Sequence, residues 1–352
     1  MKASTAASRS ALDAEPDEIP AAGYSRWSPQ RLRREGSYWR ARILSTAVHI
    51  ELFDWLGERA KGSRTARRRF GGSQEGWKVF LDALTAMGLL HKRAGQYRNS
   101  VFALRHLRSG GAAFFLPEHD AWNAWRALPE LLTTGKRPKT SRPFLTDRKR
   151  SERLLRSLDR DARKIAPYLI ERFSLEGTES LLDVGGGLGS FALAWCRRFT
   201  QLRATVIEHP RVAPLARRKI RNAHLEKRMH VLALDIAKDP LPRRFDVVLI
   251  SNVLHGQGAR ENRRLLKSAY RSLNRGGRLI LRDVLMNREG TDPEWGALFS
   301  VSLLLHTPRG RCYALDEVNR WLRQAGFSLT EGPFRSSPLF FDPDSILIAR
   351  KG

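Results

Sequence analysis

At 352 residues, 41% of them hydrophobic and 28% charged, the chain has the composition of a globular protein with room for one large or two ordinary domains. Its two cysteines, Cys196 and Cys312, cannot make a disulfide framework, no Cys/His cluster has zinc-ligand spacing, and apolar runs such as 301–305 fall far short of the roughly 18 residues a membrane span requires. The net charge of +27 admits nucleic acid, anionic lipid, an acidic substrate or an arginine-rich solvated face. Residues 31–108 hold 17 Lys/Arg against 6 Asp/Glu, yet Arg67-Arg68-Arg69 stands without interleaved aromatics or a reading motif, so a solvated face is preferred to a nucleic-acid footprint.

In chain order, residues 1–26 are rich in Ala, Ser, Pro and acids without apolar periodicity and are expected to form a disordered leader. With no apolar signal core, and with Asp13, Glu15, Asp17 and Glu18 arguing against a transit peptide, a reducing, cytoplasmic location is expected. Tyr38, Ile43, Leu44, Ala47, Val48, Leu52, Phe53 and Leu56 predict one amphipathic helix over 36–57. A second pattern covers 76–90, and 91–102 reads as a hairpin around Ala94-Gly95. Helix, basic helix, helix and hairpin make a winged-helix layout for residues 27–110. Further helices read at 112–135 and 151–173, separated by a Pro- and Lys/Arg-rich link, and 111–175 is expected to be a helical linker contributing to a substrate pocket.

Beyond residue 176 short apolar strands alternate with helices. Strands are expected at 181–184, 204–208, 229–234, 245–252 and 278–284, and helices at 188–199, 210–224 and 260–274, the last stopped by Gly276-Gly277. This alternation predicts an α/β fold, a doubly wound, Rossmann-like parallel sheet that binds ligands at the carboxyl ends of its strands.

At the first strand end, Asp183 precedes Gly185, Gly186, Gly187 and Gly189. A dinucleotide fingerprint starting at Gly185 needs its third glycine where Ser190 stands, and Asp183 would set a carboxylate beside the pyrophosphate. A cofactor that is cationic here and free of phosphate suits the arrangement, namely S-adenosyl-L-methionine with its sulfonium, amine and ribose. Glu208 ends the next strand, where an acid can accept from the ribose hydroxyls. Asp235 follows the third strand, placed for the adenine amino group, with Ile236 against the ring.

The stretches LLDVGGGLGS, FDVVLISNVLH, SLNRGGRLILRDVLM and ALFSVSLLLHTPRGRCYALDEVNRWLRQAGF resemble the plant-type and bacterial small-molecule O-methyltransferases, which include caffeic acid, acetylserotonin and hydroxyneurosporene methyltransferases. YWRARILSTAVHIELFDWLGE and FLDALTAMGLLHKRAGQYRNS are similar to that family's N-terminal dimerisation domain, so the resemblance covers about 36–330 and implies a homodimer whose winged helix does not read DNA. It places Gly185, Glu208, Asp235 and Ile236 at the cofactor, His255 as catalytic base and Asp283 as the acid beside it. Where the family commonly has His-Asp-Trp this chain has His255-Gly256-Gln257. A second flanking acid of the plant members falls on Cys312, and a cofactor-side lysine falls on Ser251.

The resemblance implies methyl transfer to a hydroxyl of an aromatic, polyketide or isoprenoid-type acceptor. Two rivals stay open: carbon or nitrogen methylation, or a non-methylating member, on the same fold; and a nucleic-acid-binding winged-helix protein. Trp122, Trp125, Trp295 and Phe299 are expected to line the acceptor pocket, with His306 near it, although aromatics at helical spacing also serve as plain core. No metal is expected.

Overall fold

The computed structural model describes residues 38–108, 125–136, 148–336 and 344–352. The first unit opens with α1 (Tyr38–His49) and α2 (Leu52–Leu56). The single helix expected over 36–57 is broken at Glu51, which is left-handed with φ 56°. The break turns Leu52, Phe53 and Leu56 into the same core as Ala47. The basic segment forms α3 (Ser63–Phe70) after the short strand β1 (Lys61–Gly62). In α4 (Gln74–Ala86) the Ser73 hydroxyl caps the first turn by accepting from Gly76 N at 3.0 Å. Strands β2 (Leu90–Arg93) and β3 (Gln96–Asn99) join through Ala94-Gly95, both at positive φ, as a two-residue hairpin loop favours. The three strands pair antiparallel in the order β1-β3-β2. The hairpin stops at Asn99, short of the expected 102, because Ser100 caps a further helix, α5 (Val101–His106), accepting from Ala103 N at 3.2 Å.

Of the helix expected over 112–135, the structure describes α6 (Leu128–Thr134); residues 112–124 lie outside the described residues. The long helix α7 (Arg148–Arg172) leads into a seven-stranded sheet. Its parallel strands are β4 (Ser180–Val184), β5 (Arg203–Glu208), β6 (Met229–Ala233), β7 (Phe245–Ser251) and β8 (Leu273–Asp283). Between them run α8 (Ser190–Arg198), α9 (Ala213–Asn222) and α10 (Ala259–Ser272). A small parallel pair, β9 (Leu285–Met286) with β10 (Tyr313–Ala314), brackets α11 (Glu294–His306), and α12 (Leu315–Ala325) follows.

The sheet corrects the all-parallel expectation. Strands β11 (Leu329–Arg335) and β12 (Ser345–Arg350) give the order β11-β12-β8-β7-β4-β5-β6, with β12 antiparallel to both of its neighbours. Gly276-Gly277 is also no helix stop. It sits in an irregular start of β8, where a Cβ on Gly277 would stand 2.9 Å from Asn274 O and 3.0 Å from Asp246 O.

Alternation along the central strands feeds two cores at once. Leu181, Leu249 and Ile280 face α7, α8 and α9 through Leu169, Trp195 and Ile220. Leu182, Val248, Leu279 and Leu281 face α10 and α12 through Leu265, Leu266, Val318 and Leu322. A strand covered on both sides reads as an unbroken apolar run. Among the described residues no helix is long and apolar enough to cross a membrane.

In the N-terminal unit, the buried Asn99 amide donates to Phe53 O at 2.8 Å and Gly57 O at 2.9 Å, tying the end of α2 to the hairpin. Asn99→Ala removes both bonds and leaves Gly57 O without its side-chain donor, while Phe53 O keeps the Gly57 N–H at 3.1 Å, so we expect a loss of about 1–3 kcal/mol from this unit. Denaturant unfolding measures it, and an unchanged midpoint would refute the role given to this amide.

Candidate active site

After β4 the backbone turns back on itself through Gly185, Gly187 and Gly189, all at positive φ, and the N–H groups of Gly185 and Gly186 donate to Ile207 O at 2.9 and 3.2 Å. A Cβ on Gly185 would stand 2.7 Å from Val253 Cγ2, and one on Gly186 would stand 2.6 Å from the Asp183 carboxyl carbon. The turn therefore leaves its peptide groups, rather than side chains, facing the strand ends.

Asp183 lies under this turn, 1% exposed, and its Oδ2 has no hydrogen-bond partner. Burial, with Glu208 adding to it, pushes the carboxyl up to about 7. Glu208, at the end of β5, accepts from Gly187 N through Oε2 and from His209 N through Oε1, each at 2.7 Å. Burial raises it above the usual carboxylate range in spite of these two bonds. Asp235, beyond β6, is half-buried, accepts from Ala237 N at 3.0 Å and pairs with Lys238 at 3.0 Å. Burial acts to raise its pKa, but Lys238 outweighs it and holds the carboxyl low. Ile236 Cδ1 is 3.9 Å from the ideal Cβ position on Gly185. Asp183, Gly185, Gly187, Glu208, Asp235 and Ile236 thus gather at three adjacent strand ends. Ser251 ends the neighbouring strand β7 and accepts from Arg282 Nη1 at 3.3 Å.

His255 lies on the helical turn Leu254–Gly256 that follows β7. Its Nδ1 is 2.7 Å from Asp283 Oδ1, which also accepts from Val284 N at 2.8 Å, while Asp283 Oδ2 accepts from Leu254 N at 2.9 Å and His255 N at 3.4 Å. Burial lowers the imidazole pKa, but the Asp283 charge and hydrogen bond outweigh it and hold the ring above the ordinary histidine value. With Nδ1 committed to Asp283, Nε2 is the ring atom left for an acceptor. The Phe299 ring meets His255 edge-on at 5.1 Å, and Trp295 lies 4.7 Å beyond Phe299. Cys312 is buried beside Phe299 with Val284 and Met286, an apolar position where the plant members carry an acid.

The remaining expected pocket residues are less concentrated. His306 ends α11 with Nδ1 2.8 Å from Ser302 O, a bond within its own helix. Trp125 is half-buried ahead of α6 and outside the Trp295–Phe299 pair. Trp122 lies outside the described residues.

Two clusters escaped sequence reasoning. Behind the glycine turn, Asp159 of α7 accepts from Ser190 Oγ at 2.6 Å, pairs with Lys219 of α9 and meets Arg163 at 2.8 Å, while Lys219 also donates to Ser190 Oγ at 2.8 Å. Beside Ser251, the buried Arg282 pairs with Asp344 at 2.5 Å and donates to Ser336 Oγ at 2.5 Å. Apart from the one-turn pair Asp159–Arg163, their bonded partners lie 29 to 62 residues apart in the chain, so no local motif announces them.

A seven-stranded sheet with one reversed strand, an acid–glycine turn and carboxylates at successive strand ends define the methyltransferase class. A buried carboxylate oxygen without a partner, next to a cradle that a Cβ would fill, fits the cationic donor. The chain belongs to the O-methyltransferase family, whose domain profile matches residues 142–328. It is 31% identical over 299 residues to 3-hydroxy-5-methyl-1-naphthoate 3-O-methyltransferase of Streptomyces sahachiroi, covering 82% of this chain and 86% of that one. It is 29% identical over 312 residues to the N,N-dimethyltransferase OxyT of Streptomyces rimosus, covering 84% and 89%. The fold matches human N-acetylserotonin methyltransferase, solved in complex with SAM, with a TM-score of 0.79 at 20% identity, covering 94% of this chain and 99% of that one. The protein is an S-adenosylmethionine-dependent methyltransferase.

The His255 ring should titrate above the free value of about 6.5. Because folding raises this pKa, the stability it contributes is full below the unfolded value and is lost as pH rises through the folded one. NMR titration of the ring protons checks this. Asp283→Asn should move the midpoint down, and a wild-type midpoint at or below 6.5 contradicts the arrangement.

Proposed function

We propose that the protein methylates a hydroxyl of an aromatic, polyketide or isoprenoid-type small molecule, with His255 as general base and Asp283 as its positioning partner. The observation that carries this is the 2.7 Å contact between His255 Nδ1 and a buried Asp283, which sets the tautomer and aims Nε2 away from the acid. Relatives that include a naphthoate 3-O-methyltransferase support an aromatic acceptor, and Trp295 and Phe299 beside His255 supply flat apolar surface for one.

The bound donor supplies an electrophilic methyl group on a sulfonium. Asp183, Gly185, Gly187, Glu208, Asp235, Ile236 and Ser251 are its proposed cradle. Glu208 keeps a second lone pair on each oxygen for the ribose hydroxyls, and the unpartnered Asp183 Oδ2 offers negative potential toward the cation. Holding the acceptor against the methyl group can contribute up to roughly 7–11 kcal/mol. Removing a phenol proton fully with an ordinary imidazole costs about 5 kcal/mol, and Asp283 lessens that cost by stabilising the imidazolium. The acid that usually follows the family's histidine is therefore dispensable here, where Gly256 stands.

His255→Ala should lower kcat roughly 100- to 10,000-fold and leave donor affinity nearly unchanged, whereas Glu208→Ala should weaken donor binding. Incubation with labelled S-adenosylmethionine and candidate naphthols, followed by NMR of the product, tests the reading. A label on nitrogen or carbon, or a kcat within about threefold of wild type in His255→Ala, overturns it.

We further propose that residues 27–110 form a winged-helix dimerisation domain, 111–175 a linker that contributes to the acceptor pocket and 176–352 the catalytic domain. Tyr38 and Trp39 on α1 and Val101 and Phe102 on α5 are all more than half exposed, an apolar surface that a second copy would cover. Light scattering should give about twice the 40.1 kDa chain mass, and Trp39→Glu with Phe102→Glu should halve it. A wild-type monomer at micromolar concentration refutes the dimer.

A further inference from the structure

The positive charge has no part in the chemistry above, and on one helix it is concentrated. Arg260, Arg263, Arg264 and Lys267 of α10 recur at spacings of three and four, exposed on the side opposite Asn262, Leu265, Leu266 and Ala269, which are buried. Together with Trp321 and Gln324 of α12 they line a cleft of about 330 Å³. None of the four cations forms an ion pair with a described residue. The one acid of α10, Glu261, is occupied by Arg309 at 2.6 Å. Like charges at these spacings repel by about 0.2–0.5 kcal/mol per pair, so the helix carries a repulsion that its own side chains do not relieve.

We propose that this cleft is a second binding site, for a small oligophosphate: an anion with adjacent phosphates, such as the polyphosphate tail of a nucleotide. Three of the four cations are arginines, whose planar forks take phosphate oxygens in pairs. From Arg260 to Lys267 the stripe rises roughly 10 Å along the helix, the reach of a short run of phosphates. The cleft is half open to solvent and of small-molecule size, which suits a short run of phosphates. The mostly buried Trp321 gives it an apolar floor, and the Gln324 amide can bond an attached organic group. No lining residue belongs to the donor cradle or to the His255–Asp283 pair, so the site is separate from methyl transfer and does not depend on the acceptor assignment.

Calorimetry of the full chain with sodium tripolyphosphate at 0.15 M NaCl tests the proposal. Wild type should bind one equivalent, and Arg263→Ala/Arg264→Ala/Lys267→Ala should weaken this at least tenfold while leaving S-adenosylmethionine affinity unchanged. If the triple variant loses the donor as well, the single variant Arg264→Glu replaces it, with the same expectation. No heat at millimolar tripolyphosphate overturns the site. Undiminished binding in the variant overturns it too, by placing the anion elsewhere on the basic surface. A random duplex oligonucleotide that displaces tripolyphosphate and binds more tightly through the same residues overturns it in favour of nucleic acid.

Discussion

The Asp283 carboxylate holds the reacting end of the sheet together. Burying a charge is costly unless it is hydrogen-bonded, and Asp283 meets that cost with three peptide N–H groups and one imidazole nitrogen drawn from two adjacent strand ends. The same bonds that neutralise the acid shape the turn after β7 and fix the ring on it. Orientation of His255 is thus a by-product of satisfying Asp283. None of these bonds uses a side chain of the flanking Gly256 or Gln257.

The donor side follows a different rule. Its carboxylates stand at three successive strand ends but in graded environments: Asp183 sealed under the turn, Glu208 pinned by two amides, Asp235 half open and paired with a lysine. On the assignment proposed above, this grading matches the donor's parts: a fixed charge calls for field from a dry site, hydroxyls call for immobile acceptors, and an exocyclic amine tolerates a solvated one. The sheet order supplies the spacing, because β4, β5 and β6 are neighbours and each ends within two residues of one of these acids.

Much of this was legible in the sequence because it is local. Strand periodicity, the glycine turn and an acid at each strand end all lie within a few residues of one another, and His255 follows its strand directly. What was not legible depends on long-range pairing. The β11–β12 hairpin places its second strand between β8 and β11, and nothing in the run 345–350 says where it will insert. The break at Glu51 arises because Leu52, Phe53 and Leu56 must share a core with residues far along the chain, which outweighs an otherwise continuous helical pattern. Gly276-Gly277 has the form of a helix stop, yet it answers to two carbonyl oxygens, one of them on a neighbouring strand. The Asp159–Ser190–Lys219 cluster joins three helices through residues with no common motif.

That cluster gives the molecule a mechanical property. With 25 residues α7 is roughly 37 Å long, and Asp159 lies near its midpoint. Ser190 and Lys219 grip it there, directly behind the glycine turn, and Leu155, one turn earlier on α7, lies 3.7 Å from the ideal Cβ position on Gly187. The helix is therefore fixed at its midpoint to the back of the glycine turn, and Asp159 ties α7, α8 and α9 to one point behind the strand ends.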